Sequence, residues 1–140
     1  MTLGQLSIWY KNLISRKDRN AIAKIYALDE KILSSFLHHL SIVRNICAHH
    51  GRLWNREFTF AYRFPKKDPS DLAETLNQGA KKRIYNTLVM LAYLMDKINP
   101  NRWKNKISDL FVKHPEIDRK RMGFPENWKE LPIWREINNG

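Results

Sequence analysis

The sequence predicts an all-α protein: a helical bundle with a short extended arm after its longest helix. Three observations carry that prediction. Residues 30–50 keep apolar side chains at helical spacing over an unusually long run. Residues 80–98 do the same. Period-two alternation is confined to Phe58, Phe60 and Tyr62 against Thr59, Ala61 and Arg63, and it stops before Pro65.

In order, Thr2 and Gln5 read as a capping box. Leu3, Leu6, Trp9, Tyr10 and Leu13 then share one helical stripe. Residues 15–19 are a polar break, followed by a short helix carrying Ala21, Ile22, Ile25 and Tyr26. Asp29 caps the long helix. On a wheel of about 100° per residue, Leu33, Phe36, Leu37, Leu40, Val43 and Cys47 form its core arc. His38, Ile42, Asn45 and His49 lie roughly opposite. Ile42 on that polar face hints at a second contact surface. Gly51 is the expected C-cap.

Residues 52–56 read as an irregular turn, 57–63 as an extended arm, and 64–70 as a loop. Asp71 and Glu74 suggest another capping box, with Gly79 as a stop. The helix over 80–98 presents Ile84, Leu88, Leu91, Met95 and Ile98, and is the expected packing partner of the long helix. Pro100 suits a helix start. Trp103, Ile107, Leu110 and Phe111 continue as a helix stopped by Pro115, and 116–122 as a short one ending at Gly123. The tail from 124 onward holds two prolines and two tryptophans, which predicts that it lies on the body.

The length fits one domain over 1–140. Net charge is +11, from 25 Lys and Arg against 14 Asp and Glu. An excess of that size favours a polyanion, and the aromatics among the basic residues at Trp54, Arg56, Phe58, Phe60, Tyr62 and Arg63 favour nucleic acid. No run is apolar enough for a membrane span, and no amphipathic stretch argues for a membrane surface. The first 17 residues lack a secretory pattern, so the expected compartment is cytoplasmic, which the single Cys47 fits.

The end of the long helix crowds Arg44, Asn45, His49 and His50 before Gly51, with Arg52 and Arg56 just beyond. Imidazole exchanges protons near neutrality, and guanidinium offers fixed charge and paired donors to phosphoryl oxygens. RNA brings its own nucleophile, the 2′-hydroxyl. Arg44 and His49, with Asn45 to orient the imidazole, are therefore a plausible minimal metal-free ribonuclease set. His50, Arg52 and Arg56 are the accompanying RNA-binding candidates. The structural alternatives are a buried ion pair for Arg44, an interface role for His49, and solvated positions for Arg52 and Arg56. Arg44 and His49 lie about 140° apart on a straight helix. A curled arginine, a distorted last turn or a second copy is needed to unite them. No cofactor is implied. A zinc reading from Cys47, His49, His50, His38 and His39 lacks the usual ligand spacing.

Arg44-Asn45-x-x-x-His49 resembles the RNxxxH form of the HEPN-superfamily motif. The longer string RNxCAHHxRLWNR resembles the abortive-infection (Abi-like, AbiD/AbiF) branch. The likeness runs from Leu3 through Met122-Gly123-Phe124-Pro125 to Trp128-x-x-x-Pro132. It implies a HEPN-like helical bundle, metal-independent RNA cleavage, and a defence or toxin role against phage through growth arrest. It also implies a homodimer, since such sites join two motifs and this chain holds one. Abi-like proteins are usually longer, with a further N-terminal portion. A short member, a fragment, or a C-terminal half working with an N-terminal partner segment all fit, and an antitoxin is a further candidate partner. The rival reading is a catalytically inactive helical module that binds RNA or protein.

Overall fold

The computed structural model describes residues 2–13 and 15–135. Among these, seven α-helices follow one another: α1 Leu3–Lys11, α2 Arg16–Ile25, α3 Glu30–Ala48, α4 Ser70–Thr75, α5 Ile84–Asp96, α6 Arg102–Lys113 and α7 Pro132–Arg135. Short 3-10 turns occupy Gln78–Ala80, Arg119–Met122 and Trp128–Glu130. No strand forms among the described residues, so the all-α expectation holds.

The first capping box closes as its spacing requires. Gln5 N–H donates to Thr2 Oγ1 at 3.1 Å, and Thr2 N–H donates to Gln5 Oε1 at 2.9 Å. The expected polar break at 15–19 is shorter than predicted. Ser15 Oγ accepts from Asp18 N–H at 3.3 Å, and the chain is helical from Arg16. Asp29 Oδ1 accepts from Lys31 N–H at 2.8 Å and starts α3. Three polar groups then join α1, α2 and α3. Tyr10 OH donates to the Arg19 carbonyl at 2.8 Å, Arg19 Nε donates to Glu30 Oε2 at 3.0 Å, and Arg19 Nη1 donates to the Leu13 carbonyl. Burial, reinforced by the Glu30 carboxylate, pushes the Tyr10 hydroxyl up to about 12.

The buried side of α3 is rotated from the predicted arc. Leu33, Phe36 and Val43 are buried as expected, but so are His39 and Ser41, while Leu37 and Leu40 are only half-buried. Cys47 is exposed, whereas its neighbour Ile46 packs against the core. The helix packs chiefly against α1 rather than α5. Between α3 and α5 lies the extended arm. Phe58 N–H donates to the Lys82 carbonyl at 2.8 Å, Arg63 N–H to Ser35 Oγ at 2.7 Å, and Tyr62 OH to the Asn86 carbonyl at 2.6 Å. It is a single extended segment tied down by scattered bonds, not a hairpin.

Phe58 and Tyr62 are buried, and their rings meet His39 at 5.1 and 5.3 Å. Tyr62 also meets Phe36 edge-on at 5.0 Å. The aromatics interleaved with basic residues therefore build the core here; Phe58 and Tyr62 offer no stacking surface to a nucleic acid.

Residues 80–83 form a turn, and α5 begins at Ile84 rather than near 80. Its first half is enclosed on every side, with Ile84, Tyr85, Asn86, Thr87, Val89 and Met90 buried. Met95 and Ile98 of the predicted stripe are exposed. Buried Asn86 is fully engaged: its Oδ1 accepts from Asn77 N–H, and its Nδ2 donates to the carbonyls of Asn77 and Ala80. The second capping box does not form. Pro69 is the N-cap of α4 and no side chain caps it. Asp71 falls instead in the first turn, where its charge favours the helix dipole.

Helix α6 begins after Asn101, which takes a left-handed backbone, φ 65°, so Pro100 precedes the helix start by two residues. Lys104 of α6 is buried and pairs with Asp96 at 2.6 Å. The short helix expected over 116–122 is reduced to a 3-10 turn at Arg119–Met122, which ends at Gly123 as predicted. The tail lies on the body through 135. Phe124 packs edge-to-face with Tyr85 and Phe111, Trp128 with Phe111, Phe124 and Trp134, and Trp134 Nε1 donates to Tyr85 OH at 3.2 Å. Tail residues 136–140 lie outside the described residues.

Candidate functional site

The end of α3 explains the geometry of the motif. His49 is the C-cap. His50 takes a left-handed backbone, φ 57°, and its N–H donates to the Cys47 carbonyl at 3.1 Å. Gly51 N–H reaches back to the Ile46 carbonyl at 2.7 Å. These two bonds form a Schellman end, with His50 rather than Gly51 in the left-handed position. The expectation of Gly51 as the cap shifts by one residue. Histidine is one of the few side chains that enters this region with any frequency. Glycine is required at 51 for a different reason. A Cβ there would lie 2.6 Å from Ile46 Cγ2 and 3.0 Å from the Ile46 carbonyl oxygen.

All six sequence-selected residues are exposed: Arg44, Asn45, His49, His50, Arg52 and Arg56. Arg44 is thus not a buried structural arginine. Arg44 and His49 remain five positions apart at the end of one helix, about 140° around its axis, and no contact joins them within the chain. Asn45 occupies the i−4 position of His49, and its carbonyl accepts the His49 N–H at 3.1 Å.

Beyond the helix, the chain turns back through an Arg56 N–H to Leu53 carbonyl bond at 3.1 Å. Arg56 Nε donates to the Arg52 carbonyl at 2.9 Å, and Arg56 Nη2 lies 3.4 Å from where a Gly51 Cβ would sit. Its cation therefore covers the carbonyl end of α3, where the helix dipole favours positive charge. Arg52, Asn55 and Arg56 line an open depression of about 470 Å³. A second depression of about 310 Å³ adjoins it through Asn55 and is otherwise lined by Arg83, Lys120 and Arg121. These last three were not selected from the sequence. They lie far from the motif along the chain, and no short-range pattern ties them to it.

Two histidines weighed as metal ligands sit elsewhere. His38 lies edge-on to Phe60, 4.9 Å between centroids, and is exposed. His39 is 1% exposed and spends both ring nitrogens inside the protein: Nδ1 contacts the Phe60 carbonyl at 3.2 Å and Nε2 contacts Thr87 Oγ1 at 2.7 Å. Burial pulls its pKa down to about 4, against the Phe60 contact that favours the charged form. His39 is thus a neutral clasp between α3, the arm and α5. Among the described residues, no three His, Cys, Asp or Glu side chains gather as a metal-binding group. No helix among them is long and apolar enough to cross a membrane.

Residues 1–55 match a family model described as Abi-like protein. No curated protein and no solved structure matches the chain. The matched segment contains α1, α2, α3 and the motif through Asn55.

Proposed function

Taking as premise the Abi-like family assignment that residues 1–55 support, we propose that this protein acts in abortive infection, the family's suggested role in phage defence, as a metal-independent endoribonuclease. His49 moves the proton of the ribose 2′-hydroxyl or of the departing 5′-oxygen. Arg44 neutralises charge developing on the phosphoryl oxygens, and Asn45 orients the imidazole or a phosphate oxygen. The observation that supports this reading most directly is the exposure of Arg44, Asn45 and His49 together at the end of α3, inside the family-matched segment. A sealed imidazole would have opposed it.

One His49 does not serve both sides of a phosphate with ease. The roughly 140° between Arg44 and His49 on one helix favours a site completed by a second copy, so the active particle of this reading is a homodimer. The same separation also favours a second reading, in which the helix end binds RNA or a partner protein without cutting.

Incubating the purified chain with RNA in excess EDTA separates the two. The nuclease reading expects cleavage, lost by about 10²-fold or more in His49→Ala and in Arg44→Ala. If each site draws Arg44 from one copy and His49 from the other, mixing the two inactive variants restores part of the activity. Binding without cleavage by the unaltered chain overturns the nuclease reading in favour of the silent module.

A further inference from the structure

The two depressions that meet at Asn55 are lined by Arg52, Arg56, Arg83, Lys120, Arg121 and Asn55 itself. Five are cations and none is a carboxylate. Two segments far apart in sequence supply them, and Arg83 brings the segments together. Its Nη1 donates to the Asn55 carbonyl at 2.8 Å, which anchors the loop after the motif helix. Its Cβ lies where a side chain on Gly123 would fall, 2.7 Å from that position, and Gly123 has φ +90°. The absence of a side chain at 123 lets the Arg119–Met122 turn close against the 80–83 turn. Lys120 and Arg121 are thereby brought to the motif side of the molecule. Arg121 has one acidic neighbour, Asp118, at 3.5 Å, and that pair is exposed to solvent.

Cations gathered in excess of their acidic neighbours repel one another, and a polyanion relieves the repulsion. Beyond Lys120 the next depression, of about 670 Å³, includes Glu126 and Glu130 in its lining. The purely cationic lining therefore ends at the Arg119–Met122 turn. We infer that the surface formed by Arg52, Arg56, Arg83, Lys120 and Arg121 is a phosphate track that carries a single strand of RNA between the His49 end of α3 and the Arg119–Met122 turn. The inference rests on the RNA reading above and extends it to residues outside the motif. An unpaired strand suits that reading because in-line attack by a 2′-hydroxyl requires a backbone freed from A-form geometry.

The test is the salt dependence of binding to a labelled, 2′-O-methylated single-stranded RNA in EDTA, so that cleavage does not intrude. The variants are Lys120→Gln with Arg121→Gln, both exposed, and a control pair of equal charge, Lys17→Gln with Lys24→Gln on α2, neither of which lines the track. The slope of log K against log salt becomes shallower by about 1.4 in the track variant, at about 0.7 per lost phosphate contact on a single strand. The control pair keeps the slope of the unaltered chain. An unchanged slope in the track variant, or an equal change in both pairs, overturns the track while leaving RNA binding in place. Failure of the unaltered chain to bind RNA overturns the track and the RNA reading together. Binding through the track with no cleavage of unmodified RNA sustains the track and overturns only the nuclease.

Discussion

Protonating His39 should loosen this protein between pH 7 and pH 4.5. In the folded chain both ring nitrogens are engaged within the core, and burial holds the pKa near 4. In the unfolded chain an ordinary histidine titrates near 6.5. Between those values the unfolded state carries a proton that the native state does not. Stability is therefore fully present above about pH 6.5 and is lost as pH falls toward 4. For that pair of pKa values, the loss between pH 7 and pH 4.5 is about 2 kcal/mol from this one side chain. The assay is urea unfolding followed by far-UV circular dichroism at the two pH values. Carboxylates also begin to protonate in this range, so the informative quantity is the difference between the unaltered chain and His39→Gln. Glutamine keeps a donor and an acceptor but has no titration. The variant should be less stable at pH 7, yet lose about 2 kcal/mol less on acidification. An identical pH-dependent loss in both proteins would refute the assignment of His39 as a neutral clasp.

The helix end offers two opposed predictions. His50→Gly should stabilise the chain by about 1 kcal/mol in the same urea assay, because it removes a Cβ from a left-handed position; if His50 contacts RNA, affinity falls while stability rises. Gly51→Ala should destabilise by about 1–3 kcal/mol, since its methyl meets the Ile46 side chain and carbonyl. A neutral Gly51→Ala would mean that the turn after α3 yields more readily than its geometry indicates.

The parts of the fold legible in the sequence are those written in local chemistry. Thr2 with Gln5, Asp29 before α3 and Gly123 after its turn each satisfy or terminate the backbone within a few residues. The misread parts depend on what arrives from far along the chain. His39 belongs to neither arc of the wheel, and the arm and Thr87 make it a core residue. Cys47 falls in the apolar arc by angle, but at that level Ile46 is the residue that meets the core. Asp71 and Glu74 have capping spacing, yet Pro69 starts the helix earlier. The enclosed first half of α5 follows no single stripe because neighbours cover it all round. At the candidate site, the motif named the candidate residues and the wheel gave the angular separation of Arg44 and His49. That Arg83, Lys120 and Arg121 line a depression with Asn55 is not legible in the sequence, because it arises from the closure of two distant turns.

The clasp at His39 also ties the family-matched segment to residues beyond it. The family match stops at residue 55. Yet His39 is completed by Phe60 and Thr87, and the Tyr26 carbonyl accepts from Tyr93 OH at 2.5 Å. A polypeptide cut after Asn55 would keep Arg44, Asn45 and His49 but lose the partners of His39 on its longest helix. The remaining 85 positions of the 140 thus carry part of the packing on which the matched segment depends.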